Sequence, residues 1–293
     1  MQLREEQTGV RRLWERNLAP GTFGLAWLGQ AGFALRSADW RMFIDPYLSD
    51  SLADKYRGTE FPHNRIMSVP IRPDEVSDLD WVLCSHKHSD HMDPGTLPLL
   101  ARNNPQCQFV VPQAEQNAAL AAGVAHQRMV AINAGDIVSL CGESTVTAVA
   151  SAHEQLKVND HGQHHFLGFI LKTGSWTIYH SGDCVPYETL ATQLRRHQID
   201  VALLPVNGRD SYRSSRGIPG NMTFGEACQL CIDAHVPYLI PHHFGMFEFN
   251  TIDEEELKQA ACNPDLGVSC LIPAPEHYFI LESKPRTILT CRL

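Results

Sequence analysis

The chain lacks long apolar runs and an excess of positive charge. No apolar stretch reaches the roughly 18 residues that cross a membrane, and residues 1–21 alternate charges where a secretory signal would have an apolar core. Asp and Glu number 33 against 24 Lys and Arg, which gives a formal net charge of -9. Because a phosphate backbone binds clustered positive charge, the sequence predicts neither a nucleic-acid partner nor a membrane partner.

A disulfide framework is also absent from the cysteine pattern. The nine cysteines are odd in number and widely spread, and several lie within apolar runs, which is typical of reduced thiols. The close pair Cys228 and Cys231 has no second pair at the spacing of a structural zinc site, so we interpret both as structural thiols. These features predict a cytoplasmic protein.

No linker rich in Gly, Ser or Pro divides the chain. We therefore expect a single domain over residues 1–293, with residues 1–20 as a helical N-terminal extension. Strands are predicted at residues 24–37, 41–48, 80–86, 107–113, 144–153, 165–174, 175–183, 199–208, 237–245 and 277–283. Helices are predicted at residues 3–17, 94–103, 113–124, 188–198, 223–235 and 253–262, and a long loop at 51–78. Two sets of strands with interspersed helices predict an α/β fold of two stacked mixed sheets with outer helices.

The most informative stretch is CSHKHSDHMD, residues 84–93, which follows a strand predicted to be buried. Residues two apart on an extended segment share a face, so His86 and His88 are expected to point together. A turn after them brings Asp90 and His91 to a neighbouring position. One loop can then serve two adjacent cations, and imidazole with carboxylate suits zinc, iron or manganese.

One loop cannot complete two coordination shells, so further ligands are expected at other strand ends. His153, Asp183 and His243 each stand where a predicted strand gives way to a loop, which is where sites in layered folds are commonly built. His242 is an alternative to His243. Each residue is a weak signal by itself, and the ordered series carries the prediction.

The order HxHxDH, then His, Asp and His along the chain resembles the metallo-β-lactamase superfamily over nearly the whole sequence. The resemblance implies a four-layer αβ/βα sandwich with a two-metal site at a sheet edge. It implies one metal on His86, His88 and His153, a second on Asp90, His91 and His243, and Asp183 bridging the two. The pattern Pro-x-His-aromatic in related hydrolases favours His243 over His242. Asp45 matches an early aspartate of the family that orients a ligand histidine; an Asx turn before Pro46 is the alternative.

Two close cations determine the expected chemistry. They lower the pKa of a bridging water toward ~7, which gives a hydroxide nucleophile, and one of them polarises the attacked carbonyl or phosphoryl oxygen. We therefore expect hydrolysis with two divalent ions, zinc or manganese, with iron as an alternative. Asp90 and Asp183 would also orient the hydroxide and the leaving-group proton, and Cys184 is interpreted as structural.

Four segments resemble a narrower subfamily, the cytoplasmic L-ascorbate-6-phosphate lactonases. They are NLAPGTFGLAWLGQAGFALRS, YHSGDC, HQIDVALLPVNG and RGIPGNMTFGEA. This likeness implies a lactonase that acts on a small anionic ester or lactone and forms a homo-oligomer. The alternatives are a phosphodiesterase of the same fold and an oxidoreductase similar to the mononuclear iron persulfide dioxygenases.

The loop GRDSYRSSRG, residues 208–217, gives the substrate signal. It carries Arg209, Arg213 and Arg216, whose guanidinium forks match phosphate and carboxylate geometry. Because the loop lies between two ligand-bearing strands, it is expected over the metals, and it predicts an anionic substrate, with phosphorylated compounds included. The run HGQHHF adds His165 as a group near the substrate; a surface hairpin tip is the alternative.

Overall fold

The computed structural model describes residues 2–282. Its strands are β1 (Gln2–Gln7), β2 (Phe23–Gly29), β3 (Gly32–Arg36), β4 (Arg41–Ile44), β5 (Trp81–Leu83), β6 (Gln108–Pro112), β7 (Met129–Ile132), β8 (Ile137–Ser139), β9 (Thr145–Ala150), β10 (Ala152–His153), β11 (Gln155–Leu156), β12 (Leu167–Thr173), β13 (Trp176–His180), β14 (Val201–Pro205), β15 (Tyr238–His242), β16 (Ser269–Cys270) and β17 (His277–Glu282).

Its helices are α1 (Gly9–Glu15), α2 (Ser51–Lys55), α3 (Leu97–Asn103), α4 (Gln116–Ala121), α5 (Leu190–His197), α6 (Ser211–Ser214), α7 (Phe224–Ala234) and α8 (Glu254–Ala261). Short 3-10 turns at residues 73–75, 113–115 and 126–128 add to them. Among the described residues, no helix combines the length and the apolar character needed to cross a bilayer.

The strands form two large mixed sheets. The first has the order β1-β17-β2-β3-β4-β5-β6-β7 and the second the order β16-β15-β14-β13-β12-β9-β8. In each sheet antiparallel pairs on one side give way to parallel pairs on the other, β4 to β7 in the first and β13 to β16 in the second. Each parallel half therefore presents the carboxyl ends of its strands at one edge.

The alternation of side chains along β2 explains how the sheet is buried on both faces. Phe23, Leu25 and Trp27 join a core shared with the second sheet. Ala26 and Leu28 join a separate core shared with α1, α3 and α4. A strand buried on both sides needs apolar residues at successive positions, and each large side chain so buried contributes about 1.5–3 kcal/mol.

Helices α5 and α7 cover the second sheet. Leu190 and Leu194 of α5 and Ala227 and Cys231 of α7 belong to the core that contains the strands of that sheet. The order helix, sheet, sheet, helix confirms the predicted α/β sandwich of four layers, αβ/βα, with two stacked mixed sheets.

The helix predicted over residues 3–17 is wrong in its first half. Residues 2–7 form β1, an edge strand whose residues pair antiparallel with β17 from Gln2 opposite Glu282 to Gln7 opposite His277. The helix α1 begins only at Gly9. A partner strand that is distant in sequence overrides the weak helical pattern, so the predicted helical extension over residues 1–20 starts as part of the sheet.

The strand predicted over residues 24–37 is a hairpin, β2 and β3, that turns at Gln30 and Ala31. Gly29 has φ +91 and Gln30 has φ 50, which allows the sharp reversal. Both strands are buried on both faces, and Gln30 is the one polar residue between Phe23 and Leu35, which is too weak a signal to predict the turn. Residues 125–143, for which the sequence predicted no element, contain β7 and β8.

Candidate metal centre

Polar side chains from four loops and from the short strand β10 meet at the edge where the parallel strands end. Asp45 follows β4, residues 84–93 follow β5, Asp183 follows β13 and His243 follows β15. His153 is the last residue of β10, which continues from β9. Strands that run parallel bring their following loops to one edge, so residues far apart in sequence become neighbours.

Four of these side chains form the first ligand group, His86, His88, His153 and Asp183. One donor atom from each lies within 4.8 Å of the donor atoms of the others. Asp183 Oδ2 is 4.0 Å from His86 Nε2 and 3.7 Å from His153 Nε2. Atoms at these separations can bind a single ion.

Asp90, His91 and His243 form the second ligand group, with donor atoms that also lie within 4.8 Å of one another. The other oxygen of Asp183, Oδ1, is 3.3 Å from His91 Nε2 and 3.4 Å from His243 Nε2. Asp183 therefore presents one oxygen to each group, which is the arrangement of a bridging carboxylate.

Several of the atoms that face one another at the site have no hydrogen-bond partner among the described residues. His86 Nε2, His91 Nε2 and Asp183 Oδ1 are buried without a hydrogen-bond partner among residues 2–282. Buried polar atoms are costly when unpaired. Since both groups combine imidazole nitrogen with carboxylate oxygen, the residues fit divalent cations such as zinc, manganese or iron.

Asp45 holds the ligand loop from behind. Its Oδ2 is 2.7 Å from His91 Nδ1, and its two oxygens accept hydrogen bonds from the backbone N–H and the hydroxyl of Ser85 at 2.7 and 2.6 Å. Ser85 Oγ lies in turn 3.0 Å from His86 Nδ1. Both carboxylate oxygens of Asp45 thus bind residues of the ligand loop. They orient the His91 ring, whose other nitrogen faces Asp183.

Burial and charge divide the histidines into two kinds. Burial lowers the pKa of His86 well below its usual value and that of His153 to about 4, so both are neutral near pH 7, as metal ligands must be. Burial opposes protonation of His91, but Asp183, Asp45 and Asp90 raise its pKa well above normal. Burial likewise disfavours the Asp183 carboxylate, while His91 and His243 hold its pKa well below the usual value. The carboxylates of Asp45, Asp90 and Asp183 therefore favour positive charge beside His91.

The backbone is strained where it delivers these groups. Gln30, Asp45 and His243 have φ of 50, 45 and 62, a region that residues other than glycine seldom adopt. Gly182, just before Asp183, has φ +60, and a Cβ there would lie 2.7 Å from Ser85 Cβ. The two principal ligand loops therefore pack backbone against side chain with no spare room.

His242 and His243 have separate places. His243 faces Asp183, as the distance above requires. The ring of His242 stacks on that of His180 with centroids 4.9 Å apart, and it meets the edge of Phe33 in the core. The geometry therefore puts His243 in the second ligand group and His242 beneath it.

A cavity of about 700 Å³ opens in front of the ligands. His88, Asp90, Asp183 and His243 form part of its lining, and residues from two segments, 52–63 and 216–219, form its walls. The other ligands lie deeper. Substrate can therefore approach the metal-ligand groups from one side.

The three predicted arginines do not share one role. Arg216 lines the cavity, where its Nε is 3.0 Å from Glu60 Oε1 and its guanidinium lies 3.8 Å over the ring of Tyr212. Arg209 donates from both terminal nitrogens to Glu226 at 2.6 Å. In the described structure Arg209 does not line the cavity, so its charge is engaged elsewhere.

Arg213 and His165 also have internal partners. Arg213 donates to Asp210 and to Asn250 Oδ1, at 2.5 and 2.6 Å. His165 Nδ1 is 2.6 Å from the buried Glu115 Oε1. Neither residue is part of the described cavity lining, and the substrate contacts predicted for them stay a prediction.

Three residues at the site were not predicted from the sequence: two line the cavity, and one lies beside the second ligand group. Lys55 and His63 line the cavity from the segment that was predicted only as a loop, and Gln30 sits beside the second ligand group at the unrecognised turn. The aromatic residues Tyr56 and Phe61 around the first two were the available signal. Gln30 offered only a single amide in the apolar run from Phe23 to Leu35, which does not identify a site.

Comparison with known proteins agrees with this geometry. The family model described as Beta-lactamase superfamily domain matches residues 41–244. The chain is 23% identical over 273 residues to a probable L-ascorbate-6-phosphate lactonase of Escherichia coli O127:H6, covering 83% of this chain and 75% of that protein. It is 30% identical over 184 residues to a metal-dependent hydrolase of Caldivirga maquilingensis, covering 63% and 70% respectively.

Among solved structures, the chain is similar to an isothiocyanate hydrolase from Delia radicum gut bacteria, with a TM-score of 0.68 and 17% identity over 87% of this chain and 98% of that one. At this identity the likeness concerns the fold. The matched region of the family model includes both ligand groups and Asp45. On the family match, the ordered ligands and the fold together, the chain belongs to the metallo-β-lactamase superfamily.

Proposed function

We propose that this metal-dependent hydrolase cleaves a small anionic ester or lactone with two divalent ions bound side by side. One observation carries the proposal: Asp183 offers its two oxygens to two separate ligand groups at the base of an open cavity. Two adjacent cations are the usual device for hydrolysis without a side-chain nucleophile.

The ions, zinc or manganese with iron as the alternative, would lower the pKa of a water and polarise the attacked carbonyl when bound. The chain supplies the rest. Asp90 is the more accessible of the two ligand carboxylates, with 17% of its side chain exposed against 5% for Asp183. We assign Asp90 to accept the proton of the attacking water and Asp183 to fix the spacing of the two groups.

The cavity wall supports an anionic substrate. Lys55, Lys87 and Arg216 line it, and Lys55 has no carboxylate partner among the described ion pairs. Leu52 and Phe61 add apolar surface to the same lining. A compact molecule with a phosphate or carboxylate at one end would match this combination of charges and surface.

The likeness to the lactonase supports a lactone over other hydrolysable groups. The phosphodiesterase alternative would use the same two groups, whereas a mononuclear iron oxidoreductase would leave the second group without a role. We also propose that the protein is cytoplasmic and forms a homo-oligomer; analytical ultracentrifugation of the purified protein tests the oligomer.

The decisive experiment is a substrate panel with a measured metal content. Protein loaded with zinc, manganese or iron is assayed on a phosphorylated sugar lactone, a neutral lactone, bis-p-nitrophenyl phosphate and glutathione persulfide. We expect two ions per chain and the highest kcat/KM on the anionic lactone. Faster turnover of the phosphodiester or of the persulfide would replace this proposal with the corresponding alternative.

A further inference from the structure

Gln30 approaches the second ligand group as closely as its members approach one another. Its side-chain nitrogen Nε2 lies 2.8 Å from Asp90 Oδ2 and 3.1 Å from His243 Nε2, while these two ligand atoms are 3.8 Å apart. The residue is fully buried. Its terminal amide thus stands where a further donor atom for an ion in this group would stand.

The other end of the amide has no partner. Gln30 Oε1 is buried and accepts no hydrogen bond from the described residues. Leaving a buried acceptor unpaired costs about 1–3 kcal/mol. A half-turn about the last side-chain torsion exchanges the oxygen and the nitrogen, so the same side chain can present either atom to the ligand group.

The backbone of Gln30 is fixed with respect to the ligands. Its carbonyl oxygen accepts hydrogen bonds from the backbone N–H of His243 at 2.8 Å and from Trp27 Nε1 at 3.0 Å. Its φ of 50 is maintained by the tight β2–β3 turn. A strained residue tied to a ligand strand keeps its side chain aimed at one place.

We propose that Gln30 is a ligand of the ion held by Asp90, His91 and His243, to which it presents Oε1. A divalent cation in this group repels the amide N–H and attracts the carbonyl oxygen, and amide oxygens bind such ions. When no cation is present, the nitrogen donates to Asp90 instead. The inference rests on the proposed two-metal function, because it requires an ion in the second ligand group.

The test measures metal binding with cobalt as the probe, by calorimetry and by the visible absorption of Co²⁺. Wild type is expected to bind two Co²⁺ per chain. Gln30→Leu is expected to bind the first with unchanged affinity and the second about 10- to 100-fold more weakly, with an altered absorption band for the second ion. Gln30→Glu keeps an oxygen and adds charge, so it should bind the second ion at least as tightly as wild type.

Two further variants guard the interpretation. Gln30→Asn keeps the amide at the turn but shortens its reach, so it should weaken the second ion as Gln30→Leu does, even if the leucine variant folds poorly. Gln116→Leu is the matched control, since within residues 2–282 Gln116 Nε2 bonds only to the Gln113 carbonyl, and it should leave both affinities unchanged.

Equal binding of the second ion by Gln30→Leu and wild type would overturn the ligand assignment alone. Weaker binding with an unchanged absorption band would also overturn it, because Gln30 would then act only as a donor to Asp90. A wild-type chain that binds one Co²⁺ would overturn both this assignment and the two-metal function.

Discussion

Residues 84–93 and residues 208–217 look similar as sequence, since both crowd ionisable side chains into ten positions. In the structure they behave differently. The first segment leaves a buried parallel strand, and its ligands are fixed by Asp45 and Ser85. The second is a surface loop whose arginines mostly bind acids of their own surroundings. A strand end determines where a side chain goes, whereas a loop lets a long side chain find its nearest opposite charge.

The largest expected effect is the loss of hydrolysis when a metal ligand at a strand end is removed. His88→Ala deletes an imidazole of the first ligand group, so hydrolysis should fall at least about 1,000-fold, or about 4 kcal/mol of transition-state stabilisation. Steady-state rates measure the loss, and circular dichroism checks the fold. His164→Ala is the matched control, because His164 bonds to Asn133 away from both ligand groups. A rate near wild type for His88→Ala would reject the metal centre.

Removing the support behind a ligand should cost less. Asp45→Asn keeps the shape but weakens the hold on His91 Nδ1, so metal affinity should fall about 10- to 100-fold, as measured by competition with a chelator. Asp80→Asn, at a carboxylate that accepts from the Arg41 backbone, should leave affinity unchanged. If the two variants bind metal equally well, Asp45 has no role beyond its own turn.

A smaller effect is expected in the arginine loop, residues 208–217, where two arginines can be compared directly. Arg216→Ala should raise KM for an anionic substrate about 5- to 10-fold, near 1 kcal/mol for one partly exposed charge-assisted contact, with less effect on a neutral substrate. Arg209→Ala should leave both KM values unchanged, since its guanidinium is occupied by Glu226. Equal increases for charged and neutral substrates in Arg216→Ala would remove the anion-binding role.

The smallest effect concerns the Arg209–Glu226 pair and pH. The hydrogen bonds from Arg209, against some cost of burial, lower the pKa of Glu226 from 4.5 to about 2. The carboxylate therefore stabilises the folded state above pH 4.5, and this stability is lost as pH falls toward 2. Urea unfolding should give wild type an advantage of about 1 kcal/mol over Arg209→Ala at pH 6, after solvent screening. This difference in unfolding free energy should shrink as the pH falls. A difference that stays constant with pH would mean that the Arg209–Glu226 pair does not cause it.

The same contrast explains what could be predicted from the sequence. The ligands follow apolar runs at strand ends. Their convergence could therefore be predicted from the order of the ligands along the chain, from the spacing within residues 84–93 and from the family resemblance. The partners of Arg209 and Arg213 include Glu226 and Asn250, which only the fold brings near. Gln30 could not be predicted because it is a single polar residue in the apolar run from Phe23 to Leu35, and one amide does not show which ligand group the fold brings near it.

The edge strand β1 has a consequence for synthesis of the chain. In the first sheet β17 lies between β1 and β2, so a growing polypeptide cannot complete this sheet until β17 has left the ribosome. Until then β1 has no neighbour and the flank of β2 stays open to stray pairing. A message cut short before residue 277 would thus yield a product with an unsealed sheet, even though both ligand groups had already been translated.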